Sequence, residues 1–284
     1  NLGCTASLGD YCSEACIALD VILDCSRLVA VLDDFPDRND IFEFPEFQGD
    51  SVLVMEDLAR LASKGDACAR TAIVDACEHR LSWVRAVALL ASSHFDGKNK
   101  DISIQIALKH LRDGGHGPGT GNQRKRGSYI AKEASVAVLK AVACFGDDEV
   151  RGALLNAMFD RNECVRKASM NAVVHLSSIE DPLVADSFAR CLDDAKESVR
   201  HHAAESLQAV RSNCNLIIIE ALLARFGDPS ISVRRSSFKA FVRIARNHDN
   251  ASIHAAMRTL QHELPHVRRL AISALASIGE RTNV

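Results

Sequence analysis

SVRRSSFKAFVRI, residues 232–244, decides the fold, because its pattern occurs three more times: CVRKASMNAVVHL at 164–176, SVRHHAAESLQAV at 198–210 and HVRRLAISALASI at 266–278. The Val-Arg pairs open at Val165, Val199, Val233 and Val267, a constant interval of 34 residues. A fixed period of that size marks stacked helical hairpins. Counting from each Val, offset four holds Ser169, Ala203, Ser237 and Ala271, offset eight holds Val173, Leu207, Phe241 and Leu275, and offset eleven holds Leu176, Val210, Ile244 and Ile278. Steps of four, four and three keep these residues on one stripe of a 3.6-residue helix, so each helix buries one face. The small residue at offset four lets helices approach closely. The spacing predicts an all-α chain, an α-α superhelix in which each quoted stretch is the second helix of a hairpin.

Six residues ahead of Arg166, Arg200 and Arg234 stand Asp160, Asp194 and Asp228. An Asp in the turn, Val-Arg opening the second helix and Ala or Leu behind it resemble the HEAT repeat, in particular the short HEAT-like variety also found in phycobilin lyases. The resemblance implies a right-handed solenoid of about six hairpins plus an N-terminal helical cap, with the second helices on the concave side. It also implies a structural ladder, Asp160, Arg166, Asp194, Arg200, Asp228 and Arg234, in which charge-assisted hydrogen bonds join neighbouring units. His79 and His262 occupy the Asp position ahead of Arg85 and Arg268, so the ladder pattern is complete in three units and partial elsewhere.

At 284 residues the length would allow two globular domains, but a repeat array grows by adding neighbours and predicts one elongated domain. Aromatics at 5% and only 6 Pro agree with helices packed through small residues. The opening Asn1 in place of Met, with a polar lead unlike a secretion signal, predicts a fragment or a processed product. IALDVILDCSRLVAVL at 17–32 is broken by Asp20, Asp24 and Arg27, too charged to span a bilayer, so a soluble protein is expected. The 10 Cys form no C-x-x-C pair, and Cys77, Cys144, Cys164 and Cys191 fall in helical apolar stripes. They read as buried free thiols of a reducing, intracellular compartment, the cytoplasm before the nucleus. Cys4, Cys12, Cys16 and Cys25 cluster without a nearby His, and no metal is expected there.

Taken in order, residues 1–66 form an N-terminal cap: a long helix over 11–34, a strap FPDRNDIFEFPEFQGD broken by Pro36, Pro45 and Gly49, and a degenerate first repeat at 51–64 with Leu58 and Leu61 on register. The strap lays Phe42, Phe44 and Phe47 over the first hairpin or, in the sharper reading, docks on another protein. The array proper spans 67–284, with helices at about 67–79 and 82–94. Trp83 is a packing residue. Counting back one period from Val165 puts Ala131-Lys132 in the Val-Arg slot, which leaves a surplus read as a Gly-rich insertion loop at 113–128. Its glycines lack the order of a phosphate-binding loop and no strand precedes them; Arg124, Lys125 and Arg126 before Ser128 form a basic tip with the pattern of a basophilic kinase site.

No catalytic motif is present at informative spacing. The HEAT-like deoxyhypusine hydroxylases bind iron through repeated His-Glu dipeptides, and here only His262-Glu263 fits, so no catalytic residue, cofactor or metal site is assigned. The HEAT-like alkylpurine glycosylases cradle DNA in a basic groove, which a net charge of −3 does not favour. Charge is unevenly placed: residues 1–66 carry 14 Asp or Glu against 4 Lys or Arg, and residues 222–284 carry 4 against 10. Offset two, which points away from the buried stripe, reads Lys167, His201, Arg235 and Arg269, and Lys239 and Arg243 extend it along one helix. This column is the expected partner-binding surface of a non-enzymatic scaffold or adaptor that takes a protein with an acidic segment. A HEAT-like lyase or chaperone acting on a tetrapyrrole-bearing protein, or a nucleic-acid-binding module, is the rival reading.

Overall fold

Residues 58–65, 67–79, 82–95, 97–113, 122–209, 215–245 and 250–279 are described by the computed structural model, and all its regular elements there are helices. The expected cap helix and the Phe-bearing strap lie outside them, as does the side chain of Trp83. Leu58, on the degenerate first repeat, is fully buried in a helical stretch at 58–63.

The described residues fall into two compact units that divide between Val142 and Ala143. The first holds α1 (Ala67–Cys77), α2 (Ser82–Ser92), α3 (Lys100–Asp113) and α4 (Asn122–Val142). Here α1 packs on α2, α3 packs on α4, and α2 runs against α4, so two hairpins stack through their second helices. The second unit holds four hairpins: α5 (Asp148–Ala157) with α6 (Glu163–Leu176), α7 (Pro182–Leu192) with α8 (Glu197–Leu207), α9 (Leu216–Ala224) with α10 (Ile231–Ile244), and α11 (Asn250–Thr259) with α12 (Pro265–Gly279). The second helices α6, α8, α10 and α12 pack side by side in that order, and α7, α9 and α11 do the same in the other layer.

Local chemistry sets the helix starts. Asp147, Asp181 and Asn215 cap α5, α7 and α9 at one-period intervals, accepting hydrogen bonds from the N–H groups of Glu149 at 3.0 Å, Leu183 at 2.9 Å and Ile217 at 3.0 Å. Such caps satisfy donors that the first turn leaves unpaired. Pro182 follows its cap at the first helical position, where a missing N–H costs least. Gly146, at φ +84°, turns the chain into α5 and donates its N–H to the Leu176 carbonyl at 2.9 Å. The left-handed conformation is one that a residue with Cβ adopts only with strain.

The core follows the stripe. Val165, Val199 and Val233 are fully buried, and so are all four residues at offset four. Offset eight is buried in Val173, Leu207 and Phe241, and is half-exposed only at Leu275. Ser237 pays for the close approach: its hydroxyl is buried with no hydrogen-bond partner among the described residues. An unmet hydroxyl costs desolvation without return, and alanine already fills the slot at Ala203 and Ala271. Ser237→Ala is therefore expected to raise stability by about 1 kcal/mol in denaturant unfolding.

Two expectations are corrected. The stretch 113–128 is not one irregular loop: α3 runs through Asp113 and α4 begins at Asn122, nine residues ahead of the Ala131 register position. Gln123, Arg124, Lys125 and Arg126 are straight-chain helix formers with no breaker among them, so the second helix extends backwards into the insertion. Of the cysteines, Cys77 and Cys191 are buried, and burial pushes both thiols up to about 12, but Cys144 is exposed beyond the end of α4 and Cys164 is half-exposed in the first turn of α6.

Candidate functional site

The turns of the hairpins α5–α6, α7–α8 and α9–α10 repeat one arrangement. The Arg six residues on donates from Nη1 to the carbonyl of the turn residue: Arg166 to Asp160 at 2.9 Å, Arg200 to Asp194 at 2.8 Å and Arg234 to Asp228 at 2.7 Å. Each Asp in turn accepts, on its own carboxylate, the N–H two residues on, from Asn162 at 2.8 Å, Lys196 at 2.8 Å and Ser230 at 2.9 Å. The other side of the guanidinium crosses to the following hairpin. Arg166 meets Asp194 at 2.9 Å and 3.0 Å, and Arg200 meets Asp228 at 2.8 Å and 3.1 Å, both as paired contacts of a planar fork on a carboxylate. The ladder residues are thus brought together across the joints from α6 to α8 and from α8 to α10.

The arrangement persists where Asp is absent. Arg85 donates to the His79 carbonyl at 2.7 Å and Arg268 to the His262 carbonyl at 2.8 Å, while His262 Nδ1 takes the place of the carboxylate by accepting from Leu264 N–H at 3.1 Å. Imidazole supplies the local acceptor but no carboxylate for the neighbouring Arg. Arg234 consequently reaches no carboxylate among the described residues.

Asp228 is the most enclosed member, its side chain fully buried. Burial would raise its pKa, but the Arg200 hydrogen bond, the Ser230 N–H and the charges of Arg200 and Arg225 outweigh that and hold the carboxyl below its ordinary range. The hydrogen bond to Asp228 likewise raises the pKa of Arg200.

A second rail runs beside the first and was not foreseen. Glu163 accepts from Ser198 at 3.1 Å, and one period on Glu197 accepts from Ser232 at 2.9 Å and also from Ser230. The Glu stands two residues ahead of Val165 and Val199, and the Ser stands one residue ahead of Val199 and Val233, so the 34-residue period carried the signal.

The expected binding column lies within the second unit, on second helices that adjoin one another. Lys167 on α6 and His201 on α8 are half-exposed, and His201 faces Glu205 at 3.5 Å. Arg235, Lys239 and Arg243 on α10 and Arg269 on α12 are exposed, and none has an ion pair among the described residues. Three other arginines of this unit are paired with carboxylates: Arg151 with Asp148 and Asp181, Arg225 with Asp193, and Arg258 with Glu220. Steps of four residues along α10 set the three cations about 6 Å apart on one face. Beside the column, burial foremost lowers the pKa of His202, with Glu205 opposing it. Among the described residues no three His, Cys, Asp or Glu side chains form a group that could hold a metal, and no helix is long and apolar enough to cross a membrane.

Residues 218–248, which include most of α9 and all of α10, match the HEAT repeat family model. No curated protein matches the chain in sequence. Among solved structures, the chain is similar to the archaeal HEAT-like repeats protein from Thermococcus onnurineus NA1, at 11% identity and a TM-score of 0.47 over 81% of this chain and 94% of that one. It is also similar to human deoxyhypusine hydroxylase in complex with glycerol, at 17% identity and a TM-score of 0.37 over 84% and 82%. A designed armadillo repeat protein aligns at 15% identity and a TM-score of 0.40 over 86% and 96%. With its 34-residue period, its stacked hairpins and its matched repeat, the chain is a HEAT-repeat helical solenoid.

Proposed function

We propose that this HEAT-repeat solenoid is a non-enzymatic scaffold whose second helices bind an acidic segment of a protein partner. The observation that carries the reading is the row Arg235, Lys239 and Arg243, joined by Arg269 from the next helix: four exposed cations without an ion-pair partner among the described residues, in a unit where Arg151, Arg225 and Arg258 are each paired with a carboxylate. Holding like charges in line costs repulsion, which an acidic ligand relieves. An extended peptide places alternate side chains about 6.8 Å apart on one side, close to the spacing of cations along α10. Alternating Glu or Asp therefore meets the row in register. Lys167 and His201 continue the same offset on α6 and α8 and would contact the ends of a longer segment.

The test is fluorescence anisotropy with a labelled peptide of alternating Glu and Ser. Arg235→Glu with Arg243→Glu is expected to weaken binding about a hundredfold at low salt, and raising salt from about 0.05 to 0.5 M should weaken the wild type about tenfold or more. Helix content should not change, because both side chains are exposed. Equal binding by the double variant, or tighter binding of a single-stranded oligonucleotide than of the peptide, would overturn the reading.

A further inference from the structure

Among the described residues the second unit has three joints between successive second helices, and two of them serve as controls for the third. At α6–α8 and α8–α10 a guanidinium fork closes on a carboxylate, Arg166 on Asp194 and Arg200 on Asp228. Beside each fork a glutamate accepts from a serine hydroxyl, Glu163 from Ser198 and Glu197 from Ser232. At α10–α12 neither bridge has its partner: His262 stands at the Asp position, Ile231 at the Glu position and His266 at the Ser position. Each bridge runs only from one hairpin to the next, so nothing beyond α12 bears on this joint.

Arg234 is nevertheless held as its counterparts are. Its Nη1 donates to the carbonyls of Asp228 at 2.7 Å and Pro229 at 3.0 Å, as Arg200 Nη1 donates to those of Asp194 at 2.8 Å and Ala195 at 3.3 Å. In Arg200 that grip leaves Nε and Nη2 to Asp228, at 2.8 Å and 3.1 Å; in Arg234 the same two nitrogens meet no acceptor among the described residues. Arg234 is half-exposed, and a planar fork with its outer N–H groups unmet is the complement of a carboxylate. Two carbonyls already fix the guanidinium, so a ligand does not have to order it. Glu263, beside His262, is exposed and pairs with no cation among the described residues. A second polar group of the joint is also unmet: His266 is half-buried, with an enclosed Nε2 that has no hydrogen-bond partner among the described residues. HELPH at 262–266 has the order of a helical zinc motif without its helix, because α12 begins only at Pro265 and His262 Nδ1 is engaged with Leu264 N–H.

We infer that the α10–α12 joint binds a carboxylate group of another molecule, with Arg234 Nε and Nη2 donating to its two oxygens in the place that Asp194 and Asp228 fill at the other joints. Occupancy gives this joint the charge-assisted bridge that its neighbours have built in, and so stabilises the folded array by mass action. A free small acid and an Asp or Glu of an acidic segment share this chemistry. The segment proposed above has a route to the seat, because Arg234 adjoins Arg235 at the end of the row. The seat itself does not rest on that reading, since it is drawn from the turn and not from the row.

The test follows the Arg234 Nε–H signal of the full chain in heteronuclear NMR spectra, assigned by its loss in Arg234→Lys, as sodium acetate replaces sodium chloride at a constant ionic strength of about 0.15 M. A saturable shift with a midpoint on the order of 10 mM is expected. His262→Asp returns a carboxylate to the seat, where Asp160, Asp194 and Asp228 each accept the N–H two residues on. It should raise the melting temperature by about 3 °C or more and weaken the acetate effect about tenfold. Should this variant fail to fold as judged by circular dichroism, the melting temperature decides: about 0.1 M acetate should raise that of wild type by about 3 °C over chloride, and leave that of Arg234→Lys unchanged. The alternating Glu and Ser peptide distinguishes the sources: a shift of the same signal admits the segment to the seat, and peptide bound without that shift leaves the seat to free acids. Acetate reads the seat without the row, so failure of the row and failure of the seat are told apart. No shift with either acetate or peptide, a shift undiminished in His262→Asp, or an acetate shift seen only in Glu263→Gln, where the chain's own carboxylate would be the occupant, would each overturn the inference.

Discussion

Asp228→Ala is expected to destabilise the second unit by about 3 to 5 kcal/mol, a drop in melting temperature on the order of 10 °C. The carboxylate is fully enclosed and receives Arg200 through both a 2.8 Å and a 3.1 Å contact, along with the Ser230 N–H. Its removal strands a largely buried guanidinium and an unmet N–H together, whereas loss of both partners of a pair would cost far less. Asp194 makes the same contacts with Arg166 but keeps 16% of its side chain exposed, so Asp194→Ala should cost about 1 to 3 kcal/mol. The order of the two variants in thermal unfolding checks the account. Because the folded pKa of Asp228 lies below its ordinary value of 3.8, its contribution is complete above that value and lost as pH falls through the lower folded value. Wild type and variant should therefore converge in stability in acid, and a gap that stays constant through that window would show that the carboxylate's charge is not what holds the joint.

Phe226→Ala is expected to cost about 3 to 5 kcal/mol as well, by a different route. Phe226 sits in the short 3-10 turn Arg225–Gly227 after α9, fully buried, with its ring 6.0 Å from Phe241 in an edge-on arrangement and 6.2 Å from Phe238. Its counterparts one and two periods earlier are Leu192 and Met158, both buried, so the slot belongs to the core of three successive hairpins and is filled here by an aromatic cluster. Truncation leaves a cavity between rings that cannot all move in to fill it. Chemical denaturation read by circular dichroism should show the loss without any change in pH dependence, which separates it from the Asp228 variant. A loss under 1 kcal/mol, on the order of a surface substitution, would mean that the cluster repacks.

How much of this was legible in the sequence depends on whether a residue's meaning is periodic. The buried stripe and the Asp and Arg positions recur at 34-residue intervals, and the stripe's steps of four, four and three chose helix over strand; all four offset-four residues are fully buried. The rail from Glu163 to Ser198 and from Glu197 to Ser232 is equally periodic but went unread. A glutamate in a first turn is favoured at any helix by the dipole, so nothing in one repeat marks it as a bridge. Phe226 was missed because its slot lies past the helix end, outside the pattern that defines the second helix. The start of α4 was missed for the opposite reason: the period predicts where a repeat begins, not how far an insertion prolongs a helix backwards. Of the column, the offset was readable, but that His201 faces Glu205 while Arg235 stands free of ion pairs among the described residues required the side-chain geometry.

The imidazole at position 262 makes the array mechanically uneven. A latched guanidinium in the ladder acts as a ratchet tooth: it is seated in its own turn and catches the carboxylate of the next hairpin. Arg166 and Arg200 are caught in this way, while Arg234 makes no contact with a carboxylate among the described residues. The joint between α10 and α12 is therefore unlatched, closed by packing where its neighbours are closed by packing and charge. Strain applied along α6, α8, α10 and α12 is expected to be relieved there first, with α11–α12 peeling from α10 while α6, α8 and α10 stay latched, a wrist beside the basic row of the second unit.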